Sequence, residues 1–253
     1  MGPIKAWSFS RLSDFETCPW RIKLRTIDRI PEPPRPLPPG KTEHANDRGT
    51  RVHDGAELYI QGGVERLPEL DLFKDEFAQL KLLYAAGKVS LEGKWGFNDE
   101  WEPRAWNSAD IWARIKLDAF VTITTEEAVV VDYKTGRKVG NEIKHADQMQ
   151  LYQLSAFMLY PKLEQITVEL WYLDQDDTTK TTFTREQGMR FFRNFDARAR
   201  KMTDTVEFTP KPNKFVCGRC PYKTICEHSA ANTIQKKHIA PHSNAARDFK
   251  PWE

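Results

Sequence analysis

The strongest chemical signal in the sequence is an aspartate and a lysine two positions apart in AVVVDYKTGRK, residues 128–138. Side chains alternate along a strand, so Asp132 and Lys134 point to one face and Tyr133 to the other. Because valines precede them, we expect this strand to be buried at the centre of a sheet. The alternative is a weak surface ion pair, which the apolar run disfavours.

A second carboxylate, Asp118, lies on the polar face of the preceding apolar segment, DIWARIKLDAFVTI. If the turn TTEE pairs the two strands, Asp118 and Asp132 share one sheet face. Two close carboxylates repel each other unless a cation lies between them, and oxygen ligands favour Mg²⁺ or Mn²⁺ over zinc. A neighbouring lysine could then orient a water or stabilise charge on a phosphate. The set suits metal-assisted attack of water on a phosphodiester bond.

The elements that must position these residues follow from periodicity and from Pro and Gly punctuation. Ser10 is predicted to cap a short helix that runs toward Cys18, and the six prolines within 31–40 exclude helix or central strand there. Further helices are predicted over 48–60, 67–87, 145–160 and 185–203, and strands over 89–97, 110–123, 128–134, 165–174 and 178–184, the last two as a hairpin of edge strands. This order indicates an α/β fold with a mixed sheet flanked by helices.

In this order, the motifs resemble those of the PD-(D/E)XK nuclease superfamily, in its RecB-like branch. The residues that carry the resemblance are Asp118, VVVDYKTG, QMQLY and the upstream helical RGTRVH. One departure is Ile115, which stands where the family often has glycine. The resemblance implies a restriction-endonuclease-like core with Lys134 as the catalytic lysine. It implies that Gln148 and Tyr152 contact the substrate or Lys134. The metal ligands that it implies are His53, Asp118, Asp132 and the Tyr133 backbone carbonyl, with Glu92 as a further ligand. For His53 alone, a structural histidine is the ordinary alternative, and for Gln148 and Tyr152 an ordinary amphipathic helix.

Four cysteines, Cys18, Cys217, Cys220 and Cys226, form a one-plus-three arrangement. Four thiolates suit a 4Fe–4S cluster, whereas zinc sites usually take two close pairs, so zinc is the weaker alternative, alongside buried free thiols. AddB-type RecB-like nucleases and CRISPR-adaptation nucleases carry a cluster of this layout. By that resemblance the cluster would join segments 8–25 and 205–228 around a core at about 45–175. We expect one nuclease domain over 1–230 and a flexible tail over 231–253.

Composition limits the remaining classes of function. The chain has 253 residues, 40% of them apolar and 29% charged, and a net charge of +2, so its bulk charge is no argument for nucleic acid. Local basic stretches, above all the helix 185–203, and tryptophans such as Trp7 and Trp20 could still hold single-stranded DNA, although core packing is the commoner role of tryptophan. Neither a membrane span nor a signal peptide is apparent, so we expect a cytoplasmic protein, bacterial or from a phage in its host.

The expected function is a Mg²⁺- or Mn²⁺-dependent deoxyribonuclease, most simply an exonuclease in recombination, repair or phage DNA metabolism. Its substrate would be DNA that is single-stranded or has a free end, and its partner a helicase or recombination protein. The alternatives are a non-catalytic, cluster-stabilised DNA-binding or scaffold subunit and a CRISPR-type endonuclease. No GxxxxGK[ST] motif is present, which argues against a helicase motor in this chain.

Overall fold

A six-stranded sheet organises the part of the chain that the computed structural model describes, residues 2–231. Its strands are β1 (Val89–Phe97), β2 (Pro103–Arg104), β3 (Ala113–Thr122), β4 (Glu127–Lys134), β5 (Gln165–Tyr172) and β6 (Asp177–Thr184). The α-helices are α1 (Phe9–Thr17), α2 (Pro19–Ile22), α3 (Ala45–Ile60), α4 (Lys74–Ala85), α5 (Glu142–Leu159), α6 (Arg185–Met189), α7 (Phe192–Asp204) and α8 (Lys214–Arg219). A π-helix (Lys23–Ile27) and a 3₁₀ helix (Pro68–Phe73) complete these elements.

The sheet is mixed, in the order β2-β1-β3-β4-β5-β6. All neighbours pair antiparallel except β4 and β5, which are parallel. A parallel pair needs a long crossover, and α5 lies in the connection between these two strands. The predicted α/β class, the central place of β4 and its pairing with β3 are therefore confirmed.

The β3–β4 ladder ends at the two aspartates predicted to be catalytic. Paired positions run from Thr122↔Ala128 to Ala119↔Val131 and stop before Asp118 and Asp132. There the Tyr133 backbone N–H donates to Asp118 Oδ2 at 2.6 Å in place of a ladder carbonyl. The backbone pairing of β3 and β4 therefore ends where the side chains of the two aspartates begin.

One face of the sheet packs against α3, α4 and the 3₁₀ helix through a buried apolar cluster. Tyr133, on β4, lies at its centre, with its ring 5.0 Å from that of Phe77 and 5.8 Å from that of Trp171. Tyr133 points to the face of β4 opposite to that of Asp132 and Lys134, and its aromatic packing therefore anchors the strand. The packing of Tyr133 thereby helps to position Asp132 and Lys134 on the opposite face of the sheet.

Helix α5 packs against β3, β5 and α6. It is buried almost all round from Met149 to Phe157, and this buried stretch includes the polar residues Gln153 and Ser155. It ends one residue before Tyr160 and Pro161, where a proline cannot continue the helix. The predicted site residue Tyr152 lies in this buried part, and Gln148 lies directly before it.

Four predictions about elements need correction. The capping residue of α1 is Ser8, whose Oγ accepts from the Arg11 backbone N–H at 3.4 Å, since the helix begins before Ser10. Residues 68–73 form a 3₁₀ helix, and β5 is an interior strand rather than an edge strand. The helix expected over 185–203 is two helices, because α6 ends at Met189 and α7 begins at Phe192.

The chain divides into two compact units. The first contains residues 1–13 and 36–206, hence the whole sheet, and the second contains residues 14–35 together with residues from 207 onward. The second unit holds α2, the π-helix and α8, and Tyr222 Oη donates to the Ile30 carbonyl within it at 3.0 Å. A single nuclease domain over 1–230 stays a prediction, and the tail expected over 231–253 lies, except for its first residue, outside the described residues. None of the described helices combines the length and hydropathy of a bilayer crossing.

Candidate active site

Three of the predicted ligands converge from three elements. His53 on α3, Glu92 on β1 and Asp118 on β3 each offer one ligand atom, and these atoms all lie within 4.8 Å of one another. His53 Nδ1 and Asp118 Oδ1 are 2.9 Å apart. An imidazole and two carboxylates at this spacing are a donor set that fits a divalent cation.

Glu92 reaches this group through an unusual backbone. Its φ of 49° lies in the left-handed region, although it is within β1 and lies opposite Asp118, between the pairs Leu91↔Ala119 and Gly93↔Leu117. Such a conformation costs a non-glycine residue about 1–2 kcal/mol. Strain of this kind clusters at functional sites, which supports a role for Glu92 beyond that of an ordinary strand residue.

The other four predicted residues form a connected network beside the first group. Tyr152 Oη donates to Asp132 Oδ1 at 2.7 Å, and Gln148 Nε2 donates to Tyr152 Oη at 2.6 Å. Lys134 Nζ donates to Gln148 Oε1 at 2.8 Å and forms an ion pair with Asp132. Both aspartates are buried, Asp132 with 3% exposure and Asp118 with 9%. The surface ion pair considered as the alternative for Asp132 and Lys134 is thus wrong, because the aspartate is inside the protein.

The electrostatics reflect this concentration of buried acids. Burial, and then the negative charge of Asp132, raises the pKa of Asp118. Burial opposes protonation of His53, but its hydrogen bond and charge interaction with Asp118 outweigh this and raise the pKa of the imidazole. Burial and the neighbouring aspartates raise the pKa of Tyr152 well above its usual value, so its hydroxyl stays a proton donor. A cation between His53, Glu92 and Asp118 would offset the repulsion among these clustered acids.

Asp132 is not one of the three residues of this group, and its two oxygens contact Tyr152 and Lys134. Its role as a metal ligand and that of the Tyr133 carbonyl stay predictions. Sequence reasoning did not single out Lys116, whose Nζ forms an ion pair with Glu92. The signal was present, since Lys116 and Asp118 lie two positions apart on the polar face of β3.

Two further groups lie near the network. His145, on α5, shares a hydrogen bond with Tyr172 Oη, 2.9 Å from its Nδ1, and burial together with the charge of Lys134 lowers its pKa to about 4. Arg48, on α3, donates to the Thr135 carbonyl and forms a two-point ion pair with Asp174. Arg48 therefore ties α3 to the loop that follows Lys134.

The tryptophans and the basic helix that were predicted to bind DNA are less available for that role than expected. Trp7 is 1% exposed and packs edge-on against Trp101 and Trp112, so its face cannot stack on a base. In the predicted basic helix, Arg198 pairs with Asp147 and Arg200 with Asp196, which neutralises part of its charge. Trp20 belongs to the second unit, where it packs against His228.

All four cysteines line one pocket of the second unit, and none of them forms a disulfide. Burial raises the pKa of the Cys220 and Cys226 thiols. The remaining walls are largely apolar, and among the described residues they also carry Arg21, Lys223 and His228 but no carboxylate. Four sulfurs with nearby cations suit a metal centre whose thiolate ligands make it negative. The convergence of Cys18 with the other three agrees with the predicted layout, and the identity of the metal stays a prediction.

Several solved structures are similar to this chain. The protein SSO0001 matches with a TM-score of 0.47 and 14% identity, over 90% of this chain and 88% of its own. A “putative exonuclease” from Eubacterium rectale matches with a TM-score of 0.42 and 14% identity, over 98% and 91%. The alkaline exonuclease LHK-Exo from Laribacter hongkongensis matches with a TM-score of 0.27 and 11% identity, over 79% and 93%. At these scores the likenesses carry no functional argument.

No curated protein matches the sequence significantly. The sequence model of the PD-(D/E)XK nuclease superfamily does match, over residues 6–227. That range includes both residue groups of the site and all four cysteines. Nucleases of this superfamily use divalent metal ions, in keeping with the His53–Glu92–Asp118 group. The chain belongs to the PD-(D/E)XK nuclease superfamily.

Proposed function

We propose that this protein is a Mg²⁺- or Mn²⁺-dependent deoxyribonuclease that hydrolyses phosphodiester bonds, most simply as an exonuclease. The observation that carries the proposal is the direct connection of Lys134 to Asp132 and, through Gln148, to Tyr152, beside the His53–Glu92–Asp118 group. A lysine held this way next to clustered carboxylates is suited to phosphodiester hydrolysis.

The residues divide the work as follows. His53, Glu92 and Asp118 would hold the divalent ion, and Asp132 would join them once Lys134 turns toward substrate. When bound, the ion supplies positive charge that polarises the scissile phosphate. Lys134 orients the attacking water and counters charge that develops on the phosphate oxygens. Gln148 fixes the Lys134 ammonium group, and Tyr152 fixes one oxygen of Asp132.

The finer placement of the protein rests on its motifs and cysteines. We assign it to the RecB-like, AddB-type nucleases, with a 4Fe–4S cluster on Cys18, Cys217, Cys220 and Cys226 and zinc as the weaker alternative. The convergence of four cysteines, none of them in a disulfide, on one largely apolar pocket supports the cluster. An ultraviolet–visible spectrum and metal analysis of anaerobically purified protein distinguish the iron–sulfur cluster from zinc, since only the cluster absorbs visible light.

The proposed setting is DNA recombination, repair or phage DNA metabolism in a bacterial cytoplasm, with a helicase or recombination protein as partner. The substrate would be single-stranded DNA or DNA with a free end. Three positively charged side chains beside the site, Arg11, Arg114 and Lys116, support a DNA substrate. Contacts to phosphate supply most of the affinity for nucleic acid.

The test is cleavage of end-labelled linear DNA and closed circular DNA, in single- and double-stranded forms, with Mg²⁺ or Mn²⁺. Wild type is compared with Lys134→Ala and with Lys180→Ala, which removes a lysine whose only described partner is Glu169 at the sheet edge. We expect wild type and Lys180→Ala to cut, Lys134→Ala to be inert, and circles to be spared.

Each outcome separates the candidate functions. Cleavage of circles would replace the exonuclease with an endonuclease, including the CRISPR type. Loss of activity in Lys180→Ala as well would mean that the assay reports lysine charge in general. A protein that binds DNA but cuts none of the substrates would favour the cluster-stabilised scaffold subunit.

A further inference from the structure

A cavity of about 410 Å³ opens beside the catalytic network within the first unit. Gln148 and Tyr152 form part of its wall, and through them it is one hydrogen bond from Lys134 and from Asp132. Lys116, the ion-pair partner of Glu92, forms another part. The cavity is therefore continuous with both residue groups of the site.

The chemistry of this cavity is that of a nucleotide site. Its lining contains three cationic side chains, Arg11, Arg114 and Lys116, and no carboxylate from the described residues. It also contains the hydroxyls of Ser8 and Ser10 and the half-buried ring of Trp106. Cations and hydroxyls suit phosphate, and an aromatic ring suits a base.

The tryptophan in this wall is held in place by an arginine. The Arg114 guanidinium lies 5.6 Å from the centre of the Trp106 ring, and Arg114 Nε donates to the Trp106 carbonyl at 3.1 Å. This contact fixes the ring on a loop that otherwise joins β2 to β3 without regular structure. A ring pre-positioned in this way loses little entropy on stacking with a base.

We infer that this cavity, here called the Trp106 cavity, binds one unpaired nucleotide of the strand being cut, next to the scissile phosphate, with its base stacked on Trp106. Its volume suits a ligand of the size of a single nucleotide rather than a duplex. The inference rests on the proposed nuclease function and adds to it a requirement for an unpaired base at one defined position.

The first test uses unmodified protein and single-stranded DNA with one abasic site, moved one nucleotide at a time along the strand. We expect cleavage at a given bond to slow about tenfold when the abasic site occupies one position beside that bond, because stacking of one base is worth about 1–3 kcal/mol. A flat profile across all positions overturns the inference.

The second test asks whether Trp106 carries this effect. In Trp106→Ala the penalty of the abasic site should disappear, because the normal base is no longer stacked, and in Trp106→Phe it should persist. Lys180→Ala, which removes an exposed lysine of the first unit outside the cavity, should behave as wild type. A penalty that is unchanged in Trp106→Ala means that the base is held elsewhere.

A DNA-binding measurement tests the Trp106 cavity independently of the nuclease assignment. Anisotropy of fluorescein-labelled oligothymidylate and of a blunt duplex is measured without added divalent cation. We expect Trp106→Ala to weaken only single-strand binding, by about tenfold. If that loss occurs but no protein cuts DNA, the nuclease proposal fails and the Trp106 cavity stands. If wild type cuts but Trp106→Ala binds and cuts normally, or if wild type does not bind the oligonucleotide, the cavity assignment fails.

Discussion

At the residue scale, Asp132 is the most constrained group in the site. It is buried, one of its oxygens accepts from the Tyr152 hydroxyl, and the other faces the Lys134 ammonium group. A buried carboxylate needs both charge compensation and hydrogen bonds. Tyr152 therefore acts as a positioning residue, since it holds one oxygen of Asp132 in a fixed direction while the lysine or a cation neutralises the other.

Tyr152→Phe tests this positioning role. The variant keeps the buried ring but leaves an oxygen of Asp132 without its donor and the Gln148 amide without its acceptor. We expect kcat for DNA cleavage to fall by about tenfold or more, since hydrogen bonds to charged groups are worth about 1.5–3 kcal/mol. KM should change little, because the lost hydroxyl faces the aspartate. Steady-state kinetics on end-labelled DNA measures both.

The matched control is Tyr160→Phe, which removes a hydroxyl at the C-terminal end of the same helix, where the ring stacks on Phe120 away from the site. It should retain the wild-type kcat. Equal losses in the two variants would show that the effect arises from α5 as a whole, and an unchanged kcat in Tyr152→Phe would remove Tyr152 from the catalytic network.

At the element scale, the site depends on how α5 is seated. The helix brings Gln148 and Tyr152 to the end of β4, and its opposite side meets α6 at Gly188. A Cβ atom at Gly188 would lie 1.9 Å from Gln153 Oε1 and 2.5 Å from Phe157 Cε2. Both of those side chains are fully buried, so neither can move aside. The absence of a side chain at this position sets the distance between the two helices.

Gly188→Ala should therefore destabilise the fold. Overpacking a closed core costs about 1–3 kcal/mol, which for a chain of this size lowers the melting temperature by about 2–12 °C. Gly136→Ala is the control, because a Cβ there meets no atom within 4 Å. Thermal unfolding followed by circular dichroism compares the two. Similar melting temperatures for Gly188→Ala and Gly136→Ala would mean that α5 and α6 separate easily.

At the scale of the whole molecule, the site residues that could be predicted from the sequence are those in regular helices and strands. Asp132, Lys134, Gln148 and Tyr152 follow the periods of a strand and a helix, so alternation and four-residue spacing place them correctly together. Glu92 could not be placed with the same certainty, since its position depends on a left-handed backbone that no period predicts. The break after Met189 was also hidden, because the basic and aromatic spacing continues across it.

The Trp106 cavity was beyond sequence reasoning for a related reason. Its walls come from the start of α1, the loop before β3, β3 itself and α5, which only the folded sheet brings together. Ile115, which departs from the family's usual glycine, lines this cavity and is buried. The departure thus concerns a wall of the cavity and leaves the Asp118 carboxylate within the ligand group.

The cysteines connect the most distant parts of the sequence, and Cys220→Ala tests what they contribute. Cys18 and Cys217 are separated by nearly the whole first unit in sequence, so the proposed metal centre would close a long loop and would stabilise the second unit by restricting the unfolded chain. We expect Cys220→Ala to lose bound iron and visible absorbance and to melt at a lower temperature, whereas Val216→Ala, which lines the same pocket without a sulfur, should keep its iron. Stoichiometric zinc without visible absorbance in wild type would replace iron–sulfur with the zinc alternative, and wild-type metal content and melting in Cys220→Ala would exclude a metal centre on these thiols.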